Sequence, residues 1–268
     1  MPERVFLKLG GSAITDKTGD QVARRDVIAR AAREIAAARA ARPDLALVLG
    51  HGSGSFGHVP AARYGVRAGC GEDWTGYALT GAAAARLNRI VTDALLDAGV
   101  PAVSLQASAS ARCRDGVLET LADEPVEVLL AHGLTPLVYG DVALDAVRGC
   151  TIVSTEQILA HLAPRLRPRR IVMVGDVEGV FTADPRRDPA ARLIPEIRAG
   201  EYAAVDGALS ASHGVDVTGG MRDKVRTLCT LVSEVPGLTV RLITARTPGL
   251  IERVLCDETV SEGTLIRP

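Results

Sequence analysis

The 268-residue chain carries 31 basic and 32 acidic side chains, and 47% of its residues are hydrophobic. Such a chain can bury a large core, which excludes disordered, fibrous and small disulfide-rich proteins. The net charge of −1 provides no overall field that would attract nucleic acid or an anionic membrane, so any anion site must be local.

Strand and helix patterns alternate from the first residues onward. Residues 5–9 predict a buried strand that ends at a glycine pair, and residues 26–41 predict a helix rich in alanine and arginine. The further predicted strands are 45–49, 101–105, 135–139, 170–174, 239–243 and 264–266. The further predicted helices are 82–98, 126–131, 155–162, 221–232 and 249–254. This alternation indicates an α/β fold with a largely parallel sheet covered on both faces and ligands at the carboxyl ends of its strands.

The sequence also predicts a loop, a hairpin and a hinge in three segments between these elements. Residues 50–57 form a glycine loop, and residues 112–118 form a surface hairpin. The stretch 164–170 holds four arginines and two prolines. We interpret it as a hinge between an N-terminal lobe, residues 1–168, and a C-terminal lobe, residues 169–268, with a solvated loop as the alternative.

Lysine usage singles out three positions. Among the 31 basic residues only Lys8, Lys17 and Lys224 are lysines. A compact ammonium group on a flexible stem enters a crowded phosphate site where a planar guanidinium does not fit. All three lysines lie in or beside glycine-containing segments, so we interpret them as anion-binding candidates rather than as chance surface charges.

Those glycine-containing segments have the character of anion sites. The first, KLGGS at residues 8–12, ends a strand and frees backbone N–H groups. The second, GHGSGSFGH at residues 50–58, follows a buried strand. The third, DVTGGMRDK at residues 216–224, opens a predicted helix whose positive dipole end favours an anion. Taken singly, each segment could be a plain glycine turn or a solvent-exposed helix N-terminus. Neither alternative explains why all three lysines lie in or beside these segments.

The second segment also matches G-x-G-x-x-G at Gly52, Gly54 and Gly57, with Glu72 and Asp73 downstream as ribose partners. This pattern by itself indicates a dinucleotide site, but its specificity is low and it leaves the lysines unexplained. The chain has no Walker sequence, no protein-kinase signature and only a broken G-x-S-x-G. A dispersed cationic cage for phosphoryl transfer is therefore the favoured interpretation.

Cysteine and histidine spacing argues against two other kinds of site. The five cysteines are widely spaced and odd in number, so we expect thiols in the core rather than a disulfide framework. The histidines form no cluster with the spacing of transition-metal ligands. Apolar runs stop far short of a membrane span and no signal segment is evident, which predicts a cytoplasmic protein with no membrane or nucleic-acid partner.

An ordered set of motifs resembles the amino acid kinase superfamily and, within it, the isopentenyl phosphate kinases. The motifs are KLGGS, ITDK, GHGSGSFGH, RYG, GYALTGAAAARLN, PLVYGDVALD, VGDVEGVFTADP and DVTGGMRDK. The likeness covers nearly the whole chain. It implies a three-layer αβα sandwich and a homodimer, with acceptor phosphate bound by residues 1–168 and ATP, accompanied by Mg²⁺, bound by residues 169–268.

The resemblance also implies residue roles. The residues it assigns to the nucleotide are Lys8, Gly10, Gly11, Ser12, Ser53, Asp176, Gly219 and Lys224. The residues it assigns to the acceptor phosphate are Gly52, Gly57, His58 and Gly140. Lys17 would stabilise the phosphoryl group in transfer. Where the family has Ser-Gly-Asp this chain has Ser154-Thr155-Glu156, so Glu156 takes the place of the carboxylate that orients the lysines.

The expected reaction is ATP-dependent phosphorylation of isopentenyl phosphate to isopentenyl diphosphate. The acceptor is an ionised phosphate, so no general base is needed and cations must carry catalysis. A kinase for a phosphonate or carboxylate, such as a fosfomycin or amino-acid kinase, is the alternative within the same chemistry. An NAD-dependent oxidoreductase and a catalytically silent nucleotide sensor are the alternatives outside it. Small residues at 81–85 leave room for a prenyl tail or simply pack a helix.

Overall fold

The computed structural model describes residues 2–16, 19–185, 187–203 and 220–268. Its strands are β1 (Glu3–Leu9), β2 (Leu45–His51), β3 (Ala102–Leu105), β4 (Arg112–Arg114), β5 (Val117–Thr120), β6 (Thr135–Tyr139), β7 (Asp141–Asp145), β8 (Gly149–Val153), β9 (Arg170–Gly175), β10 (Glu196–Arg198), β11 (Thr239–Thr244) and β12 (Thr264–Arg267). Its α-helices are α1 (Gly11–Ile14), α2 (Arg25–Ala41), α3 (Gly54–Arg63), α4 (Thr75–Asp97), α5 (Glu124–Ala131), α6 (Thr155–Leu166), α7 (Gly220–Glu234) and α8 (Leu250–Cys256).

The main sheet has the strand order β10-β12-β11-β9-β1-β2-β6-β3. Neighbouring strands in it are parallel except β11 and β12. A smaller sheet has the order β5-β4-β7-β8. The central parallel strands β9, β1, β2 and β6 therefore present their carboxyl ends along one edge, which is where such sheets bind ligands.

Helices cover both faces of the main sheet. Residues of α2, α4 and α8 pack with Val5, Leu7 and Leu9 of β1 in one apolar cluster. Residues of α5, α6 and α7 pack with Phe6 in another. Alternate residues of β1 thus enter opposite layers, as the period of a strand requires. The predicted three-layer αβα sandwich with a largely parallel sheet is confirmed. Among the described residues, no helix combines the length and apolarity that crossing a bilayer requires.

Most predicted elements are present, but the glycine loop is shorter than expected. The prediction of a loop over residues 50–57 is wrong because β2 continues to His51 and α3 begins at Gly54. Two glycines and Pro60 give this segment a low intrinsic helix propensity. Tertiary packing overrides that propensity, since Phe56 is buried in the core. Helix α4 also begins seven residues before the predicted start.

The expectation of unpaired thiols is wrong for one pair of cysteines. Cys70, in the segment between α3 and α4, forms a disulfide with Cys150 on β8, and their Cα atoms are 5.5 Å apart. Strand β8 and its partner β7 form an antiparallel hairpin that the sequence patterns did not predict. Cys113, Cys229 and Cys256 remain free thiols. An odd cysteine count shows that at least one thiol is unpaired, not that all of them are.

Candidate active site

Two glycine loops follow the adjacent central strands β1 and β2 and touch each other at the ligand edge of the sheet. A Cβ atom on Gly52 would lie 2.8 Å from the amide nitrogen of Gly11, and one on Gly11 would collide with the backbone of Gly54. Gly54 has a φ of +50° and faces the Thr15 side chain, so a larger residue there would be both strained and crowded. The glycines are thus required for the close approach of two backbones.

This approach leaves backbone N–H groups available to an anion. The amides of Gly11, Ser12, Ser53 and Gly54 have no hydrogen-bond acceptor within the described part of the chain. The last two lie at the N-terminus of the ten-residue helix α3, where the helix dipole adds positive potential. The junction of the loops can therefore bind phosphate oxygens through main-chain donors.

An ion pair connects strand β1, which leads into this junction, to helix α6. Lys8 projects from β1 to the face that holds α6, and its Nζ atom donates a hydrogen bond to Oε1 of Glu156. Ser154 caps α6: its hydroxyl accepts from the Gln157 amide at 3.2 Å, and the Gln157 side chain accepts from the Ser154 amide at 2.8 Å. This capping box places Glu156 in the first helical turn, where the dipole stabilises a carboxylate.

Burial and neighbouring charge set the ionisation of this pair. Burial alone would raise the pKa of Glu156, but the charges of Lys8 and Lys224 and the Lys8 hydrogen bond lower it to about 2. Burial lowers the pKa of Lys8, Glu156 opposes that effect, and the positive charge of Lys224 adds to it. Glu156 therefore contacts Lys8, one of the lysines it was expected to orient, and the glutamate is an anion throughout the neutral range.

A cleft opens beside the ion pair. Its lining residues are Lys8, Gly10, Ser12, Met173, Val174, Gly175, Asp176, Val177, Gly179, Met221, Lys224, Leu242 and Ile243. The Ser12 hydroxyl donates to Oδ1 of Asp176 at 3.1 Å, which ties the loop after β1 to the loop after β9. The cleft therefore brings together residues assigned to the nucleotide from the described part of the chain, two lysines and several apolar side chains.

The residues assigned to the acceptor lie between β2 and α3, on α3, and between β6 and β7. His58 is exposed on the second turn of α3. Gly57 is required for packing, because a Cβ there would collide with the Ser53 side chain. The Gly140 amide donates to the His51 carbonyl oxygen at 3.2 Å, which fixes the chain between β6 and β7. Close by, a Cβ on Gly81 would lie 3.1 Å from Cγ2 of Val142, so α4 packs tightly on β7.

Thr155 is a site residue that sequence reasoning missed. Its hydroxyl donates to the His51 carbonyl oxygen at 2.6 Å, and its neighbour in the chain is Glu156. The same carbonyl thus holds Gly140 and the start of α6 together. A threonine behind a helix-capping serine has no distinguishing pattern, so no sequence signal identified it.

The position of the two acidic residues considered as ribose partners argues against a dinucleotide site. Glu72 and Asp73 lie in the exposed segment between α3 and α4. In a dinucleotide-binding fold the corresponding carboxylate ends the strand after the glycine loop.

Two predicted site residues, Lys17 and Gly219, lie outside the described residues.

Comparisons with known proteins agree with this geometry. The model of the amino acid kinase family matches residues 3–243. The isopentenyl phosphate kinase of Methanothermobacter thermautotrophicus is 39% identical, with 98% of each chain covered. That of Haloferax volcanii is 38% identical over 85% of this chain and 88% of its own. A solved structure of isopentenyl phosphate kinase superposes with a TM-score of 0.84 at 36% identity, covering 98% of this chain and 100% of that one.

Proposed function

The chain belongs to the amino acid kinase family and, within it, to the isopentenyl phosphate kinases, and from this premise we propose that it phosphorylates isopentenyl phosphate with ATP. The observation that carries the proposal is the junction of two glycine loops over the Lys8–Glu156 pair. Such a junction can hold two phosphates side by side, as transfer between them requires.

The proposed reaction joins two anions. An ionised oxygen of the acceptor phosphate forms a bond to the γ-phosphorus of ATP while the bond from that phosphorus to the bridging β–γ oxygen breaks, giving isopentenyl diphosphate and ADP. No proton has to be removed, so catalysis consists of alignment and charge neutralisation. Lys8 and Lys224 supply fixed positive charge at the cleft, and Glu156 keeps Lys8 in place.

We divide the binding roles as the family resemblance suggests. Residues 169–268 would hold the nucleotide, together with Lys8, Gly10, Gly11 and Ser12 from the first loop. Ser53 of the second loop would also contact the nucleotide. Gly52, Gly57, His58 and Gly140 would hold the acceptor phosphate, with His58 as a donor from α3. Lys17 and Gly219 keep their proposed roles on sequence grounds.

The residues present fit a Mg²⁺ ion that arrives with ATP rather than a dedicated protein cage. In the part of the chain that the structure describes, no three His, Cys, Asp or Glu side chains cluster as metal ligands. Asp176 supplies an oxygen donor in the cleft, and Mg²⁺ in nucleotide sites takes one or two carboxylates plus phosphate oxygens. When bound, the ion would neutralise phosphate charge. From the resemblance we also propose a homodimer that supplies isoprenoid precursors, and from the apolar runs of the sequence we propose a cytoplasmic location.

An ADP-release assay across a panel of acceptors tests the function. With ATP and Mg²⁺ we expect ADP formation with isopentenyl phosphate, and ³¹P NMR should show the paired resonances of a diphosphate product. Fosfomycin and glutamate serve as the phosphonate and carboxylate acceptors, and NAD as a control ligand in thermal-shift measurements. Turnover with glutamate but not with isopentenyl phosphate would move the protein to another branch of the family.

A further inference from the structure

A buried histidine lies directly beneath the second glycine loop and has no role in the proposed reaction. His51, the last residue of β2, is completely buried. Its Nδ1 atom lies 3.1 Å from the carbonyl oxygen of Gly52, and its Nε2 atom lies 3.1 Å from the side-chain amide nitrogen of Asn88 on α4. The ring stacks on Tyr139, with a centroid separation of 5.5 Å and an interplanar angle of 4°.

Hydrogen-bond complementarity fixes the proton on this imidazole. A carbonyl oxygen can only accept, so Nδ1 carries the hydrogen that bonds to Gly52. Nε2 of the neutral ring is then an acceptor and receives the Asn88 amide N–H. The Asn88 carbonyl oxygen accepts in turn from the Ser104 hydroxyl on β3. Asn88 is the only asparagine in the sequence, and it is buried.

The surroundings keep the ring neutral. Burial lowers the pKa of His51 to about 4; the hydrogen bond to Gly52 opposes this and the charge of Lys8 on β1 adds to it. The ring also stacks on the titratable Tyr139 of β6, and burial raises the pKa of its phenol. Near neutral pH neither His51 nor Tyr139 carries a charge.

We propose that His51 and Asn88 are positioning residues that orient the Gly52–Ser53 peptide for phosphate binding. In a planar trans peptide the carbonyl and the following N–H point in opposite directions. Anchoring the Gly52 carbonyl on Nδ1 of His51 therefore aims the Ser53 N–H away from His51. That amide is one of the available donors at the loop junction.

The main chain of His51 also positions two further segments of the site, those of Gly140 and Thr155. Its carbonyl oxygen accepts from the Thr155 hydroxyl at 2.6 Å and from the Gly140 amide at 3.2 Å. Thr155 precedes the carboxylate that holds Lys8, and Gly140 is assigned to the acceptor. One buried residue thus sets the relative positions of the second glycine loop, the acceptor segment and the start of α6.

The Asn88→Asp variant tests the proposal because it preserves shape and exchanges the amide donor for a carboxyl group. At lower pH, a second proton, besides the hydrogen on Nδ1, lies between the new carboxyl group and Nε2 of His51. A hydrogen bond to Nε2 can then form, and the loop stays anchored. When that proton is lost, a carboxylate faces the Nε2 lone pair and the anchor is lost. We expect kcat/KM for isopentenyl phosphate to fall roughly tenfold as pH rises through this ionisation, while the wild type shows no such limb. Asn88→Leu should show the loss at every pH.

A matched control and a substrate-free measurement complete the experiment. Thr92→Val removes a buried hydroxyl from the same helix, one that bonds to the Asn88 backbone, and should leave the pH profile unchanged. In wild-type protein, ¹⁵N NMR should show His51 protonated on Nδ1 and not titrating above about pH 5. The resonance is assigned by replacing His58, His132, His161 and His213 singly.

The outcomes separate this inference from the proposed function, on which its kinetic part rests. Protonation on Nε2, or a wild-type pH profile in folded Asn88→Asp protein, would overturn the positioning role. If NMR finds the expected tautomer while isopentenyl phosphate is not turned over, the proposed function fails and the buried hydrogen-bond arrangement stands.

Discussion

The two faces of the sheet stabilise the adjacent loops of the site in different ways. Lys8 and Gly50 are paired in register on β1 and β2, and Leu9 is paired with His51. On the α6 face, an ion pair between Lys8 and Glu156 holds the site. On the α4 face, an uncharged hydrogen bond between His51 and Asn88 holds it. In the proposed reaction, fixed charge lies where phosphates would be neutralised, and neutral groups lie where a loop would only have to be oriented.

The energetics of the two arrangements differ accordingly. A buried ion pair is costly to break, because removing one partner leaves an uncompensated charge. A neutral hydrogen bond contributes less, and its loss costs mainly the desolvation of the group left unpaired. Substitutions on the α6 face should therefore have larger effects than those on the α4 face.

Replacing Lys8 should give the largest effect. Lys8→Met removes a cation from the cleft and leaves the partly buried Glu156 without its partner. We expect kcat to fall by a factor on the order of 10² to 10³ and KM for ATP to rise, as measured by ADP release. Lys8→Arg keeps the charge in a planar group that does not fit the same buried space, so it should recover little activity. Full recovery by arginine would show that only net charge matters at this position.

Reducing the Cys70–Cys150 disulfide should give the next largest effect, on stability. The bridge closes a sequence separation of 80 residues and fastens the segment before α4 to the β7–β8 hairpin. Its loss should lower stability by about 3 kcal/mol and Tm by roughly 10 °C. Calorimetry with and without a dithiol measures the change, and Cys70→Ser/Cys150→Ser protein should not respond to the reductant. Titration of five thiols in protein purified without reductant would contradict the bridge.

This bridge also illustrates what the sequence could and could not predict. Apolar periodicity located the central strands, since β6 has the predicted bounds of residues 135–139. It missed α3, whose glycines and proline have low helix propensity, and the β7–β8 hairpin, which follows β6 after a single residue. Pairing of Cys70 with Cys150 depends on how that hairpin folds back, and local patterns do not contain this information.

Replacing His58 tests the acceptor side and should have an intermediate effect. On α3 its imidazole is exposed on the side that we assign to the acceptor phosphate. His58→Ala should weaken acceptor use by about 1.5 to 3 kcal/mol, the usual range for a hydrogen bond to a charged group, with ATP binding unchanged. His58→Gln should recover part of the loss because it retains a donor. A loss of ATP binding with unchanged acceptor kinetics would exchange the two binding sides.

The candidate site was predictable to different degrees on the two faces. The lysine count and the glycine segments identified Lys8 and the loops from composition and spacing alone. Glu156 lies 148 positions from Lys8, so only the family resemblance indicated their contact. Asn88 was missed because a single polar residue in a helix is usually solvated, and only the fold shows that it reaches His51.

Shortening Glu156 should give the smallest effect and the finest test of the charged face. Glu156→Asp keeps the carboxylate in the first turn of α6, so a small shift of the Lys8 ammonium can preserve the pair and activity should stay near or above wild type. Glu156→Gln removes the charge and should lower kcat.

The same two variants separate the effect of the Glu156 charge from that of its side-chain shape when stability is measured in acid. The pKa of Glu156 is about 2 in the folded protein, below the unfolded value of about 4.3, so its stabilising contribution is present above about pH 4.3 and is lost as pH falls towards 2. Stability measured between pH 6 and pH 2 should therefore decline less in Glu156→Gln than in wild type or Glu156→Asp. Equal activities and parallel acid profiles for the two variants would show that the carboxylate neither orients Lys8 nor stabilises the charged face.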